Sequence, residues 1–295
     1  MELNALMKSN NVVLGWWTFL IIISIFNILF ISIYAFTHTL NTKQLLLFGF
    51  AFIFSIVCAI RALYPTKYTE KTCFLKTKYY TPFVIRILAT IAEIAYILLF
   101  VYVFIYIINI IKNITRINLN YLKKYIYIII PIIVLAEVFS WLGSITEYQL
   151  WNVSEEILWF ISSIMLIVIS IFILNNIKDI KSTKIKSIYY LLSGIVPLAT
   201  IFATFMIVVD IPMYVKRWIK GEQIETKPIQ QIFNEFKNKH RKNFDNKLKD
   251  FRQCRKVDKS LNTWKEEMPW LTGYFTVGVW STFVLAIWFK HHSDS

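Results

Sequence analysis

The sequence predicts an all-α, polytopic integral membrane protein: a bundle of about seven transmembrane helices, with a basic amphipathic helical loop before the last. Three observations carry that expectation. Of the 295 residues, 57% are hydrophobic and the mean hydropathy is +0.53, a balance that soluble domains of this size rarely reach. The apolar residues come in blocks of about twenty, the length a helix needs to cross roughly 30 Å of hydrocarbon. The one sizeable polar block, residues 216–269, leaves no room for a separate catalytic domain, so any site must be built largely from the helices. The expected organisation is a six-helix transmembrane region over 1–215, a basic membrane-surface loop over 216–269, and the last transmembrane helix with a short tail over 270–295.

The first span is expected over 12–36. The segment before it carries Glu2 and Lys8, and the apolar run is longer than the core of a typical export signal, so this helix is expected to remain in the mature chain. The second span, 44–63, carries Arg61 near its end and stops before Pro65; the third, 82–110, opens on Pro82. Pro131 and Pro197 fall inside the fourth (125–144) and sixth (188–212) spans, where neighbouring helices can satisfy the freed carbonyls, and they predict kinks. The fifth span, 152–174, ends at Asn175 and Asn176, the sixth at Pro212, and the seventh, 270–289, follows Pro269. Within the polar block, Ile229, Ile232, Phe233, Phe236, Phe244, Leu248 and Phe251 recur at helical spacings among basic residues. That pattern suits an amphipathic helix, or a pair of helices, lying on the membrane or on the bundle. Thr263 stands three residues before Glu266, as a capping box requires.

An odd number of spans puts the two termini on opposite sides, called here side A for the N-terminus and side B for the C-terminus. Both sides receive lysines, so the charge rule that orients membrane proteins does not decide between them, and the long loop favours side A as the cytoplasmic face. The net charge of +14 comes mainly from loop lysines beside helix ends, where they meet lipid head groups; this argues for a lipid-bilayer partner and against nucleic acid. Cys58, Cys73 and Cys254 show neither a metal-binding spacing nor a disulfide framework and are expected to be free thiols. The sequons at Asn113 and Asn152 fall on opposite sides, and Asn152 lies too close to the membrane to be a good glycan acceptor.

When the chain is threaded through the spans, Arg61, Arg86, Glu93, Glu137, Glu155, Glu156 and Asp210 all fall in the half of the membrane nearest side A. Ionisable groups in hydrocarbon are costly and mark ion paths, proton relays or polar ligands. Arg86, Thr90 and Glu93, spaced four and three apart, form one stripe on the third span, with Glu93 about 15 Å below Pro82 by helical rise. Glu137, Trp141 and Ser144 share a face of the fourth span, and Asn152, Glu155 or Glu156, and Trp159 share one on the fifth. Structural explanations compete: Arg61 can snorkel to head groups, Asn152 with Glu155 fits a helix cap, and an Arg–Glu pair can simply lock two helices together.

The four histidines fall in loops or the tail and no cofactor motif is present, so no metal and no cofactor are expected. The candidate ligand-binding set is therefore Arg61, Arg86, Thr90, Glu93, Glu137, Trp141, Glu155, Glu156 and Asp210. It suits transport or conduction of a small ion, proton or polar solute. Two alternatives stand beside it: a carboxylate-dependent membrane enzyme acting on a lipid or isoprenoid, and a structural subunit whose charges seal contacts with protein partners in a larger membrane complex.

Overall fold

The structure, a computed structural model, describes residues 2–222 and 244–293. Seven of its helical stretches are long and apolar enough to cross a membrane: Asn11–Thr37, Thr42–Leu63, Pro82–Thr115, Leu122–Thr146, Gln149–Ile177, Thr183–Gly221 and Glu267–Ser293. The chain is thus an all-α, multi-pass integral membrane protein. Most helices run a few residues beyond their apolar cores, because a helix continues through interfacial polar residues whose long side chains reach water. The sixth departs further from expectation. It passes Pro212 and continues to Gly221, with a π-helical turn at Met206–Asp210 that ends two residues before the proline. Proline lacks the N–H that the α ladder needs, and a wide turn ahead of it re-registers the bonds so that the helix continues past it.

In order, the described elements are α1 (Glu2–Thr37), α2 (Thr42–Leu63), β1 (Thr66–Lys67), β2 (Thr72–Cys73), α3 (Pro82–Thr115), α4 (Leu122–Thr146), α5 (Gln149–Ile177), α6 (Thr183–Phe205), the π turn, α7 (Ile211–Glu222), α8 (Phe244–Phe251), β3 (Lys256–Val257), α9 (Leu261–Trp264), α10 (Glu267–Gly273), a second π turn (Tyr274–Gly278) and α11 (Val279–Ser293). The chain divides into two compact units: Met1–Phe100 with Lys249–Ser295, and Val101–Leu248. Of the apolar positions expected to form an amphipathic loop helix, Phe244, Leu248 and Phe251 lie on α8, with Phe251 fully buried, whereas Ile229, Ile232, Phe233 and Phe236 lie outside the described residues.

The first unit packs α1, α2, the start of α3 and the α10–α11 helix. At one end, the Asn41 side chain accepts from the N–H groups of Lys43 and Gln44 while Gln44 reaches back to the Asn41 N–H, a full capping box that starts α2. Gln44 also donates to the Ser293 hydroxyl at 2.8 Å, so the start of α2 and the end of α11 share a face. Halfway along, Asn27 donates to the Phe275 carbonyl within the second π turn at 3.0 Å, and nearer the other end Trp16 donates to Thr272 at 3.0 Å. These bonds fix α1 to the last span, while Phe19, Ile22 and Ile25 on its other side remain exposed for lipid.

The opposite end of this unit carries a small cap. Strand β2 pairs antiparallel with β1 and parallel with β3, and Cys73 is disulfide-bonded to Cys254. The expectation of three free thiols is therefore corrected: Cys58 alone is free and buried. Sequence spacing could not reveal the pairing because 181 residues separate the two cysteines. Lys71 is wholly buried, with Nζ 2.9 Å from Asp250, which also pairs with Arg255. Asp258 accepts from the Ser260 N–H, the Thr263 hydroxyl and Lys256. The expected Thr263 capping box is thus replaced: Ser260 is the N-cap of α9, and Thr263 lies inside the helix with its hydroxyl turned to Asp258. Phe74 packs against Trp17 and Trp264 beneath these bonds.

The second unit contains the remainder of α3 with α4, α5, α6 and α7. Glu147 ends α4 in the left-handed region, φ 62°, its N–H returning to the Gly143 carbonyl at 2.9 Å. Glycine at 143 is demanded by a close approach: a Cβ there would lie 2.2 Å from the Asn152 side-chain oxygen on α5. The sequence makes Asn152 a cap for α5, yet the helix begins at Gln149, and the buried Asn152 amide donates to the Gln149 side chain at 3.1 Å. Trp218 on α7 donates to the Tyr148 hydroxyl at 3.0 Å.

Candidate functional site

In the first unit, α3 presents Arg86 and Glu93 two turns apart on the expected stripe, and both are buried. Their side chains close the gap, Arg86 Nη2 standing 3.3 Å from Glu93 Oε2. Arg61, one turn after the buried Cys58 on α2, places Nη1 3.7 Å from Glu93 Oε1, and the Tyr274 hydroxyl donates to that same oxygen at 3.2 Å. One carboxylate therefore stands between two guanidiniums and a phenol, with the side chains of Arg61, Arg86 and Glu93 each less than a tenth exposed. Aromatic faces complete the enclosure. The Arg61 guanidinium lies 4.9 Å from the Tyr274 ring centre, and the Tyr68 ring, from the cap, lies 5.9 Å from Arg61 and 5.5 Å from Arg86. Ring faces attract cations, so the tyrosines also replace part of the water that the arginines give up.

The contact with Arg61 revises the depth of Glu93. Arg61 is two residues from the end of α2, and a guanidinium on its stem reaches only a turn or so of helix. Glu93 thus lies level with the last turns of α2, nearer side A than a count from Pro82 suggests. The 34 residues of α3 account for the difference, since at about 1.5 Å each they exceed the hydrocarbon thickness and its first turns rise beyond it. Snorkelling to head groups is not what Arg61 does: it turns inward to Glu93.

Thr90, the third member of the stripe, is half-buried and engaged with its surroundings. The other expected residues, Glu137 and Trp141 on α4, Glu155 and Glu156 on α5, and Asp210 at the end of the first π turn, belong to the second unit. Glu137, Glu156 and Asp210 are buried there, Trp141 and Glu155 are half-buried, and each is engaged by neighbouring groups.

Sequence reasoning missed Tyr274 and Tyr68. Tyr274 opens the π turn of the seventh span, Tyr274–Gly278, and such turns recur at functional sites because the wide ring re-aims side chains. Nothing in the local pattern signals it, since its partner Glu93 is 181 positions away. Tyr68 sits in a polar loop whose disulfide-bound fold leaves no local trace in the sequence. Among the described residues no group of three or more His, Cys, Asp or Glu side chains could hold a metal ion. No family model, curated protein or solved structure matches this chain.

Proposed function

We propose that this protein transports or conducts a small ion, proton or polar solute across its membrane, and that Arg61, Arg86 and Glu93 form the binding element in the first unit. The observation that carries the proposal is the enclosure of one carboxylate by two guanidiniums and a phenol inside otherwise apolar helices. A buried ion pair stabilises a fold little better than well-packed apolar residues of the same volume, so stability is a poor reason for its presence. Intramembrane charges of this kind accompany solute and proton paths. Among the described residues, Arg61 Nη1 makes no hydrogen bond and stands 3.7 Å from Glu93, leaving a buried donor for a solute oxygen. Protonating Glu93 would remove the charge that holds both arginines, which couples a proton to any rearrangement of the cluster. Thr90 belongs to the same stripe, and Glu137, Trp141, Glu155, Glu156 and Asp210 are proposed as further polar ligand groups within their own unit.

The test is flux through purified protein in proteoliposomes, followed with a lumenal pH dye and with monovalent-ion tracers. Glu93→Gln keeps the shape of the side chain and removes its charge, and it is expected to abolish a pH-dependent flux while helical content and elution volume are retained. An unaltered flux in that folded variant would take Glu93 out of the path.

A further inference from the structure

We infer that side A, the face bearing the cap, is the non-cytosolic, oxidising side of the membrane, so that the Arg61–Glu93–Arg86 cluster lies close to that side. The orientation rests on the disulfide and the threading. That a solute enters from there rests additionally on the transport reading above.

The threading of the first unit is fixed by contacts at both ends. At one end, the start of α2 meets the end of α11 through Gln44 and Ser293. At the other, the Lys67 ammonium donates to the Thr263 carbonyl, and the Trp16 ring on α1 lies 6.1 Å from Trp264. The connection from α2 to α3, carrying Cys73, and the segment before α10, carrying Cys254, therefore emerge on one face, as strictly alternating spans require. Cytosolic thiols are kept reduced by glutathione and thioredoxin systems, whereas structural disulfides persist in secretory, periplasmic or extracellular surroundings. The sequence-based preference for side A as cytoplasmic gives way to this chemistry.

The charges leave the assignment to the disulfide, because exposed basic residues stand on both sides. On side A, Lys67 and Lys71 are buried against Glu70 and Asp250, Lys256 pairs with Asp258 and Lys259 lies over the Phe74 ring, while Lys76, Lys78, Arg252 and Lys265 stand exposed. On side B of this unit, the connection after α1 is short and Lys43 stands exposed beside it.

Tyr68 gives the cap a place in the site. It lies between β1 and β2, seven and five residues from Arg61 and Cys73 in the chain, and its ring covers both guanidiniums. The disulfide thus anchors the loop that roofs the cluster from the oxidising side.

The experiment uses full-length protein in its expressing cells. Lys78→Cys on side A and Lys43→Cys on side B, both exposed positions, are introduced separately with Cys58→Ala, and an impermeant maleimide is applied from the cytosolic side after selective opening of the plasma membrane. Lys43→Cys is expected to label and Lys78→Cys to label only once the membrane holding the protein is itself opened or when reagent is applied from its other side. In parallel, denatured wild-type protein is expected to take one maleimide before reduction and three after it. Labelling of Lys78→Cys from the cytosolic side, or three reactive thiols before reduction, overturns the inference. Loss of flux in Glu93→Gln bears on the transport reading alone and leaves this orientation untouched.

Discussion

The two units solve the burial of polar groups differently. In the first, charges are gathered: two arginines share one glutamate, a tyrosine from a π turn completes the set, and a cross-linked cap with its own ion pairs closes one end. In the second, Gly143 on α4 lets the Asn152 side chain of α5 come close, and the Trp218 side chain bonds the Tyr148 hydroxyl. Helix contacts of the latter kind, a small residue and side-chain amides, are the ordinary means of packing in hydrocarbon. Glu137, Glu156 and Asp210 are buried in the second unit as well, so the contrast lies in the cross-linked cap of the first and the tight Gly143 approach of the second, not in which unit holds charges.

The largest effect expected from breaking this contrast is in the charged cluster. Glu93→Ala removes the carboxylate that both buried guanidiniums face and should destabilise the protein by about 3–5 kcal/mol. Thermal unfolding in detergent would show a much larger loss than for Thr90→Ala on the same helix. If the two variants melt alike, the cluster is not the organising feature of its unit.

Next comes the cap. Cys73→Ser removes a cross-link between distant parts of the chain and should cost about 2–4 kcal/mol, read as earlier proteolysis within residues 64–81 while the spans stay helical. Smaller is the effect of Gly143→Ala, where the new methyl displaces the Asn152 amide from its place; a loss of about 1–2 kcal/mol is expected. Adding Asn152→Ala to that variant should return most of it. Gly278→Ala sharpens the comparison, because its Cβ would meet the Phe54 ring at an ordinary 3.6 Å, and a stability change within about 0.5 kcal/mol should follow.

The smallest effect concerns acid. Burial works against ionisation of Asp258 and Asp250, yet the hydrogen bonds from Lys256, Ser260 and Thr263 to the first, and from Lys71 and Arg255 to the second, outweigh it and hold both carboxyls below their ordinary range. Because the folded values are lowered, their contribution is fully present above the unfolded value of about 4 and is lost as the pH falls through the folded ones. Trp264 fluorescence should therefore stay unchanged down to about pH 4 and shift on further acidification, and Asp258→Asn should weaken that acid step.

Much of this was legible along the chain because hydrocarbon imposes a local rule: a backbone without water must satisfy itself within each helix, so span number and approximate position follow from runs of apolar residues. The stripe of Arg86, Thr90 and Glu93 could be read for the same reason, helical periodicity being local. The ends of the helices were less legible, since Pro212 is passed with the help of a π turn that propensity does not encode. The capping box expected at Thr263 failed because Asp258 competes for its hydroxyl.

By itself, then, the sequence determined a seven-span, helical membrane protein with costly charges within its spans. Only the tertiary structure decided that Arg61 turns inward to Glu93, that Tyr274 and Tyr68 join them, and that Cys73 finds Cys254. Each of those pairings joins separate elements, Tyr274 with Glu93 and the two cysteines across 181 positions. Periodicity along one helix fixes which way a side chain faces, whereas the identity of its partner depends on how other helices are packed against it.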